Sequence, residues 1–358
     1  AGVEAGADGS STSPDATRED SATDSSAVPD ADSAPSCTMC GGACVDTTND
    51  PKNCGACGAQ CTSDAGLSFG CVASKCGNQA TSVTSGYDNS CAVLLDGSLF
   101  CWGSRATGQT GTIDAAPGPT PAKIAIEDVV EARAGKGFVC ARKNDGTIWC
   151  WGDNTFGVLG HAPGADPGCT GTCTTTPAKI DLPGGAKAAK LAVGLGTVCV
   201  RTQGATGGDV YCWGNAFGGI TGDATLAVGT IRPQPQKIPV FVGDVTDISL
   251  GSYDTGGPGD RPIACAVRND KTVWCWGVNF NGALGHAGGT LGDVTCTANA
   301  PMPCNGTPIK VESLSAVSAL STGGTFACAV TQIGALYCWG NNSNGYLGIG
   351  PAIAIKLK

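Results

Sequence analysis

The stretch CAVLLDGSLFCWG, Cys91 to Gly103, consists of two apolar runs on either side of the turn dipeptide Asp96-Gly97. Its two cysteines lie at equal distance from Asp96, which predicts a three-residue loop, Leu95-Asp96-Gly97, closed by a residue with positive φ. In that register Cys91 faces Cys101 across two antiparallel strands. Directly opposed residues have Cα atoms roughly 4.5 to 5.5 Å apart, a separation that a disulfide tolerates. The stretch therefore predicts a disulfide-closed β-hairpin, and both of its faces are apolar and need covering.

Four further copies of this hairpin follow along the chain. Three of them keep the nine-residue gap between the cysteines: CARKNDGTIWCWG from Cys140, CAVRNDKTVWCWG from Cys265 and CAVTQIGALYCWG from Cys328. The copy CVRTQGATGGDVYCWG from Cys199 has a longer, glycine-rich turn. The predicted hairpin disulfides are Cys91–Cys101, Cys140–Cys150, Cys199–Cys212, Cys265–Cys275 and Cys328–Cys338.

The repeated Cys-Trp-Gly gives the length of the repeating unit. Successive tryptophans, Trp102, Trp151, Trp213, Trp276 and Trp339, are 49, 62, 63 and 63 residues apart. A glycine turn such as GDNTFGVLGHA follows each one, and a Pro-containing strand and an alternating strand precede each later hairpin. Four short strands per unit are typical of a β-propeller blade. We predict an all-β, disulfide-stapled propeller of five four-stranded blades with a small N-terminal cysteine-rich module.

The Asp-Gly hairpin, the Trp-Gly pair and the following Asn-x-x-Gly-x-Leu-Gly turn resemble the repeats of the regulator of chromosome condensation family. The resemblance covers residues 79–358 and implies a propeller scaffold, which by itself does not define a function. The best-known members have seven blades, so five copies imply either a smaller ring or part of a longer one. The first copy lacks a leading Pro strand, and we expect PAIAIKLK, Pro351 to Lys358, to supply it and to lock the ring.

Charge and cysteine content narrow the function classes. Of the net charge of -9, residues 1–36 carry -7 and residues 77–358 only -1, so the sequence lacks the basic surface that nucleic-acid binding requires. No apolar run approaches the ~20 residues that span a bilayer. The 22 cysteines indicate an oxidising location, extracellular or at the cell surface, and argue against the chromatin and small-GTPase roles that the resemblance would imply. Because the chain starts at Ala1, we expect a removed leader, and a lipidated cysteine at its end would give a membrane anchor.

The N-terminal region divides into two parts. Residues 1–36, rich in Ala, Ser, Asp and Pro, predict an acidic flexible tether. Residues 37–77 predict a disulfide module with eight cysteines, and CGGACVDTTNDPKNCGACGAQC resembles the stigma-specific cysteine-rich family over residues 37–76. Eight cysteines allow 105 pairings. Zinc is the alternative, because Cys37-x-x-Cys40 and Cys54-x-x-Cys57 have ligand spacing.

Insertions of the propeller fall mainly after the Gly-x-Leu-Gly turns and are expected on one face. The two longest, His161 to Thr176 and His286 to Gly306, each contain a cysteine pair, Cys169 with Cys173 and Cys296 with Cys304; a third insertion spans Ser252 to Pro262. Closed loops cost less to order on binding. The candidate binding residues are His161, Asp166, Thr172, Asp254, Arg261, His286, Asp293 and Asn305. The alternative is that these loops are variable surface decoration, with both histidines inherited as turn residues.

Two residue types are assigned structural roles. All seven tryptophans, including Trp149 and Trp274, are expected in the core between blades. The asparagines after the Trp-Gly pairs, Asn154, Asn215, Asn279 and Asn341, are expected to hold the glycine turns through side-chain bonds to the backbone.

The sequence does not support catalysis. It has no acid/base pair at a recurring offset and no phosphate-binding loop, so we expect no enzyme activity, no cofactor and no metal site. A hydrolase would need clustered acids, for which Asp153, Asp166 and Asp223 are the nearest residues. The predicted function is a secreted or cell-surface recognition module that binds a protein or glycan through its propeller loops. The alternative is a self-assembling structural subunit of a surface layer or filament, joined through residues 1–36.

Overall fold

The computed structural model describes residues 38–45, 47, 52–53, 55–59, 70–72, 75–77, 80–164, 166–222, 230–254, 261–296 and 301–348. Two short hairpins lie in the cysteine-rich region: β1 (Thr38–Cys40) pairs with β2 (Ala43–Val45), and β3 (Gly70–Val72) pairs with β4 (Lys75–Gly77). A disulfide joins Cys40 to Cys57, with Cα atoms 5.3 Å apart. These two cysteines come from the two pairs with zinc-ligand spacing, so the bond favours the disulfide interpretation over zinc. The tether of residues 1–36 lies outside the described residues.

The remaining described strands form five antiparallel sheets, which we call blades 1 to 5, each built from strands that are consecutive in the chain. Blade 1 comprises β5 (Ala80–Ser85), β6 (Asn89–Leu94), β7 (Leu99–Arg105) and β8 (Asp114–Lys123); blade 2 comprises β9 (Val129–Ala134), β10 (Phe138–Lys143), β11 (Ile148–Asp153) and β12 (Cys173–Ile180). Blade 3 comprises β13 (Ala188–Val193), β14 (Thr197–Thr202), β15 (Val210–Asn215) and β16 (Ile231–Lys237); blade 4 comprises β17 (Val245–Gly251), β18 (Ile263–Arg268), β19 (Val273–Val278), β20 (Val294–Thr295) and β21 (Pro303–Lys310); blade 5 comprises β22 (Val317–Thr322), β23 (Phe326–Thr331) and β24 (Leu336–Gly340). The only helices among the described residues are single 3₁₀ turns, at Cys169–Gly171, Pro183–Gly185, Phe217–Gly219 and Phe280–Gly282, and none of them is long enough to cross a membrane.

The predicted hairpin is confirmed in its register. Cys91 lies opposite Cys101, and the backbone N–H of Leu94 donates to the carbonyl of Ser98 over 2.9 Å. Gly97 closes the turn with φ 79°. All five predicted hairpin disulfides are present, each with Cα atoms 4.1 Å apart, just below the separation expected from strand geometry.

The grouping of strands into blades differs from the predicted one, in which each Pro-containing strand belongs to the same unit as the hairpin that follows it. The Pro-containing strand β8 pairs with β7, the strand before it in the chain, so that Cys101 faces Ala122 and Gly103 faces Gly118. The glycine turn after Trp-Gly sends the chain back alongside the strand it has just left, and consecutive strands joined in this way pair with each other. Blade 1 therefore has four strands already, and β8 fills the place predicted for Pro351 to Lys358. That C-terminal segment lies outside the described residues.

A tryptophan latch joins each of blades 2 to 5 to the blade before it. The Cys-Trp-Gly tryptophans of these four blades are buried between the blades, and each indole N–H donates to a backbone carbonyl in the glycine turn of the preceding blade. The bonds are Trp151 Nε1 to Gln109 O (3.0 Å), Trp213 to Val158 (2.8 Å), Trp276 to Ile220 (2.8 Å) and Trp339 to Ala283 (3.0 Å). A buried indole needs such an acceptor, and here it is supplied across the blade boundary.

The other three tryptophans are less buried. Trp102 belongs to the first blade and is only partly buried. Trp149 and Trp274 were expected in the core, but they lie half-buried against it, each donating to the hydroxyl of the threonine two residues earlier. Their position on the strand explains the difference, because each shares a face with the latch tryptophan but lies two residues closer to the exposed hairpin turn. Basic side chains lie over both rings, Lys143 over Trp149 and Arg268 over Trp274.

The glycine of Cys-Trp-Gly is required by its surroundings. At all five copies its φ lies between 100° and 110°, a conformation that L side chains rarely adopt. A Cβ would also stand 2.6 Å from a backbone carbonyl, that of Asp88 at Gly103 and that of Thr325 at Gly340. The glycine thus lets the third strand pass close to the turn between the first two strands of its own blade.

Replacing a latch tryptophan should cost more stability than replacing Trp102. Trp213→Phe removes the indole N–H, leaves the Val158 carbonyl unpaired and opens a cavity. We expect it to lower the free energy of unfolding by about 2–4 kcal/mol. Trp102→Phe, at a partly buried ring, should cost less than about 1.5 kcal/mol. Urea unfolding with intact disulfides measures both variants, and equal losses would contradict the latch.

One hairpin turn can be improved. Lys271 occupies the turn position that glycine takes in the other copies with nine residues between their cysteines, and its φ is 65°. Lys271→Gly should raise the free energy of unfolding by about 0.5–1 kcal/mol, because it removes left-handed strain. The matched control is Gly334→Ala, where φ is 80° and no atom lies within 4 Å of the added Cβ. It should lower stability by about 1 kcal/mol. A stabilising Gly334→Ala, or a destabilising Lys271→Gly, in the same urea assay would refute this reasoning.

Candidate binding face

Two kinds of connection emerge at the same end of every blade. In an antiparallel blade the turn between the first two strands and the loop between the third and fourth strands lie on one side, and the cysteine hairpin turns lie on the other. We call the first side the loop face and the second the hairpin face. The described parts of the two long insertions lie on the loop face, between β11 and β12 in blade 2 and between β19 and β21 in blade 4.

In blade 4 a buried Asn-His-Asp clip holds the insertion to the glycine turn. The Asn279 side chain is fully buried, and its Oδ1 accepts from the backbone N–H of Leu284 at 3.0 Å. Its Nδ2 donates to Asp293 Oδ2 at 2.7 Å, and His286 Nε2 lies 2.9 Å from Asp293 Oδ1. The side chain of Asp293 has no exposed surface. The carboxylate of the insertion is therefore attached to the frame of the blade.

Blade 2 repeats the same clip. Asn154 Oδ1 accepts from the N–H of Leu159 at 3.0 Å, and its Nδ2 donates to Asp166 Oδ2 at 2.9 Å. His161 Nε2 lies 3.3 Å from Asp166 Oδ1. Four of the predicted binding residues, His161, Asp166, His286 and Asp293, thus lie in the two clips. Both carboxylates are buried and are used in holding the loops, so neither is exposed for contact with another molecule.

The asparagines after Trp-Gly hold the glycine turns, as expected, but by two different bonds. Asn154 and Asn279 bind the leucine N–H of the turn, and in blade 5 Asn342 does so, with Leu347 N at 3.0 Å. Asn215 and Asn341 lie one residue earlier and accept from the N–H two residues further on. The number of residues between Trp-Gly and the asparagine thus differs by one between these copies, a difference that the sequence prediction overlooked.

Two other candidate residues brace the loops near their disulfides. The Cα atoms of Cys169 and Cys173 are 5.2 Å apart, and those of Cys296 and Cys304 are 6.0 Å apart. Thr172 Oγ1 donates to the carbonyl of Cys169 at 3.1 Å. Asn305 is largely buried and donates to the carbonyl of Leu291 at 3.3 Å.

A central pocket of about 280 Å³ opens where the first turns of all five blades meet. Each blade contributes an equivalent glycine: Gly86, Gly135, Gly194, Gly251 and Gly323. Beside it, Lys136 Nζ of blade 2 lies 2.7 Å from Asp254 Oδ2 of blade 4 and 5.0 Å from the ring centre of Tyr87 of blade 1. The candidate residue Asp254 therefore takes part in an ion pair that links non-adjacent blades.

A second, smaller pocket of about 170 Å³ lies between blades 4 and 5. Its lining includes Tyr253, Arg261 and Phe280 of blade 4 and Asn344 and Tyr346 of blade 5. The Arg261 guanidinium lies 3.6 Å from the ring centre of Phe280. The last of the predicted binding residues is thus placed in a pocket that also holds three aromatic rings.

Exposed tyrosines distinguish the two faces. Tyr87, Tyr253 and Tyr346 are the exposed tyrosines among the described residues, and all three lie on the loop face. The hairpin face exposes aliphatic residues instead, among them Val242 and Ile333. Tyrosine is enriched at the core of protein interfaces. Sequence reasoning missed these residues, although Tyr-Asp recurs just after Gly86 and after Gly251-Ser252, at the equivalent turn of two blades.

No group of three or more His, Cys, Asp or Glu side chains within the described ranges is placed to hold a metal ion. Asp153 ends β11, and its Oδ1 accepts from Thr155. Asp166 lies in the loop that follows and belongs to the blade 2 clip. Asp223, the third acid considered for hydrolysis, lies outside the described residues.

Comparison with known proteins assigns the repeats. Two family models, both described as regulator of chromosome condensation (RCC1) repeat, match the chain, one at residues 80–109, 129–158 and 317–345 and the other at 145–200 and 270–330. The chain therefore carries RCC1 repeats in a β-propeller fold, as the resemblance in its sequence predicted.

Curated relatives share part of the chain. The human E3 ubiquitin-protein ligase HERC2 is 31% identical over 160 residues, which are 44% of this chain and 3% of that protein. The ultraviolet-B receptor UVR8 of Arabidopsis thaliana is 26% identical over 319 residues, 75% of this chain and 66% of that protein. The mitochondrial RCC1 domain-containing protein RUG3 of the same plant is 26% identical over 180 residues, 49% of this chain and 34% of that protein. The chain thus spans from a small part to about two thirds of these relatives.

Solved structures agree in fold. Yeast RCC1 (Prp20), in a crystal structure with Kap60, superposes with a TM-score of 0.61 and 18% identity, covering 78% of this chain and 60% of that one. Human WBSCR16 superposes with a TM-score of 0.59 and 19% identity, covering 76% and 65%. At this level of identity the likeness shows the propeller fold alone.

The blade 4 clip should open in acid. Burial disfavours the charged form of Asp293 and is the largest single influence on it. Hydrogen bonds from His286, Asn279 and the backbone of Gly289 outweigh burial, and together they hold the pKa below its ordinary 3.8. A carboxyl with a lowered folded pKa stabilises the fold above its ordinary pKa and loses that effect as the pH falls through the folded value.

We therefore expect pepsin cleavage near Leu291 to be negligible at pH 4.5 and to rise below about pH 3.8. Rates are normalised to an unstructured peptide at each pH. Asp293→Asn, which cannot ionise, should be cleaved at a normalised rate that does not change with pH. Equal profiles for the two proteins would show that the carboxylate does not hold the loop.

Proposed function

We propose that this chain is a non-enzymatic recognition module that acts outside the cell and binds a protein or glycan through its loop face. The observation that carries the proposal is the concentration of exposed tyrosines on that face, beside two insertions that are closed by disulfides and held by buried clips. Loops ordered in advance lose less entropy when a partner binds. The hairpin face has no comparable set of exposed aromatic residues among the described positions.

The RCC1 repeats support a binding role. Solved propellers of this kind are described with protein partners: yeast RCC1 with Kap60, and Prp20p with binding properties to Gsp1p and histones. Those partners belong to those proteins, and here they support only the general use of the fold in protein binding. The match to a ubiquitin ligase covers 3% of that enzyme and gives no reason to assign ligase activity to this chain.

Cysteine chemistry supports the extracellular location. Every cysteine whose side chain is described is in a disulfide, including the five hairpin bonds. Such usage is typical of oxidising compartments. In this proposal residues 1–36 are a tether, residues 37–77 a disulfide module of the stigma-specific type, and residues 78–358 the propeller. The near-neutral charge of residues 77–358 gives no support to a nucleic-acid partner.

Site-specific photo-crosslinking tests which face binds. A crosslinking amino acid at Leu291 on the loop face should capture a partner from the native extracellular setting. The same amino acid at Ile333 on the hairpin face should not. Both side chains are well exposed, 59% and 91%, so each reports on its own surface. Capture at Ile333 alone, or at neither site, would refute recognition through the insertions of the loop face.

A further inference from the structure

We propose that the pocket between blades 4 and 5 binds a uronic acid residue of an acidic glycan, with Arg261 as the ligand of its carboxylate. The inference rests on the proposed function and names a ligand class for one site on the loop face. It is carried by a half-buried arginine that has no acidic partner among the described residues, by the polar groups around it and by the size of the pocket.

The Arg261 guanidinium has no acidic partner in the part of the chain that the structure describes. Other basic groups of the loop face are neutralised, Lys136 by Asp254 and Arg105 by Asp114. Within the described residues no carboxylate or hydrogen-bond acceptor pairs with the Arg261 side chain, and its Nε is buried without a partner. Because the charged N–H groups of Arg261 have no acceptor among the described residues, a ligand that supplies a carboxylate to those facing the pocket gains free energy on binding.

The stacking of Arg261 prepares it for a carboxylate. The face of the guanidinium is covered by Phe280 at 3.6 Å, and Tyr253 lies 5.9 Å from it on the pocket wall. Stacking leaves the N–H groups at the edge of the guanidinium free, and those groups match a carboxylate in a two-point contact. Because the aromatic ring holds the side chain in place, little rotamer entropy remains to be lost on binding.

The rest of the pocket offers both donors and acceptors. Asn281 Nδ2 donates to Asn341 Oδ1 at 3.1 Å, and Asn344 Nδ2 donates to the hydroxyl of Tyr346 at 2.8 Å. Each of these donating amides retains a second N–H and its own carbonyl oxygen. Tyr346 is held by a parallel stack on Phe326, with ring centres 5.1 Å apart. Alternating amides and hydroxyls beside an aromatic wall suit the hydroxyl groups and the apolar face of a sugar ring.

The size and polarity of the pocket favour a sugar over an acidic peptide. A volume of about 170 Å³ has room for a single sugar ring, so one residue of a longer chain would enter. An aspartate or glutamate side chain would satisfy Arg261 but would make no use of the second N–H and the carbonyl oxygen of Asn281 and Asn344. A uronic acid supplies a carboxylate for the arginine and hydroxyls for the amides at the same time.

Titration calorimetry of the full chain with trigalacturonate tests the proposal. Maltotriose serves as the neutral control and tetra-aspartate as the acidic peptide control. The main variant is Arg261→Met, which removes the charge and keeps an apolar stem over Phe280. Arg105→Met is the matched control, because Arg105 lies at the loop face but is paired with Asp114. Asn344→Ala removes one amide at an exposed position and is not expected to disturb folding.

We expect trigalacturonate to bind and the two control ligands not to bind measurably. Arg261→Met should lower the affinity for trigalacturonate by about tenfold or more, and Asn344→Ala should lower it by about threefold. Arg105→Met should leave the affinity unchanged. Raising the salt concentration should weaken the interaction of the native chain.

Several results would overturn the proposal: no binding of trigalacturonate, equal binding of maltotriose, binding of tetra-aspartate alone, or an unchanged affinity in both Arg261→Met and Asn344→Ala. If trigalacturonate does not bind but a partner is captured at Leu291, the uronic acid site is wrong and recognition through the loop face is retained. Binding through Arg261 with no capture at Leu291 would retain the pocket and remove the wider recognition surface.

Discussion

The structure depends on one interaction that repeats along the chain, the hydrogen bond from a buried indole N–H to a backbone carbonyl of the preceding blade. Trp151, Trp213, Trp276 and Trp339 each make it, at 2.8 to 3.0 Å. A four-stranded blade with two apolar faces cannot be stable alone, so burial drives the blades together and the indole bond fixes where they meet. The acceptor belongs to the glycine turn from which the loop-face insertions begin. Blade packing and loop placement are therefore set at the same point.

The insertions of blades 2 and 4 are attached to these glycine turns. Asn154 and Asn279 bind the leucine N–H of the glycine turn with one end of the amide and a loop carboxylate with the other. Together with the loop disulfides, these clips turn long insertions into ordered surface. The polar groups most obvious in the sequence, both histidines and their aspartates, hold the loops, and both carboxylates are buried. In the proposed recognition role, the surface left to a partner consists of tyrosines, asparagines and Arg261, which has no acidic partner among the described residues.

Much of the fold follows from the sequence because its determinants are local. Cys91 and Cys101 are ten residues apart, and the turn between them fixes their register, so the disulfide could be predicted from spacing alone. The assignment of the Pro strands was wrong because it required knowing which neighbour a strand pairs with after a turn. The pocket between blades 4 and 5 could not have been predicted. Tyr253 and Arg261 come from the connection between β17 and β18, Phe280 from the loop after β19 and Tyr346 from the loop after β24. Only the packing of blades 4 and 5 brings Tyr346 to the other three.

We infer a single propeller that presents a recognition face, in contrast to a subunit that assembles through its acidic N-terminal residues 1–36. Light scattering of the purified chain, with and without those residues, separates the two. We expect a monomer in both cases, of about 35.4 kDa for the full chain. Polymers that form with the complete chain and disappear when residues 1–36 are removed would contradict it and would identify a self-assembling surface subunit.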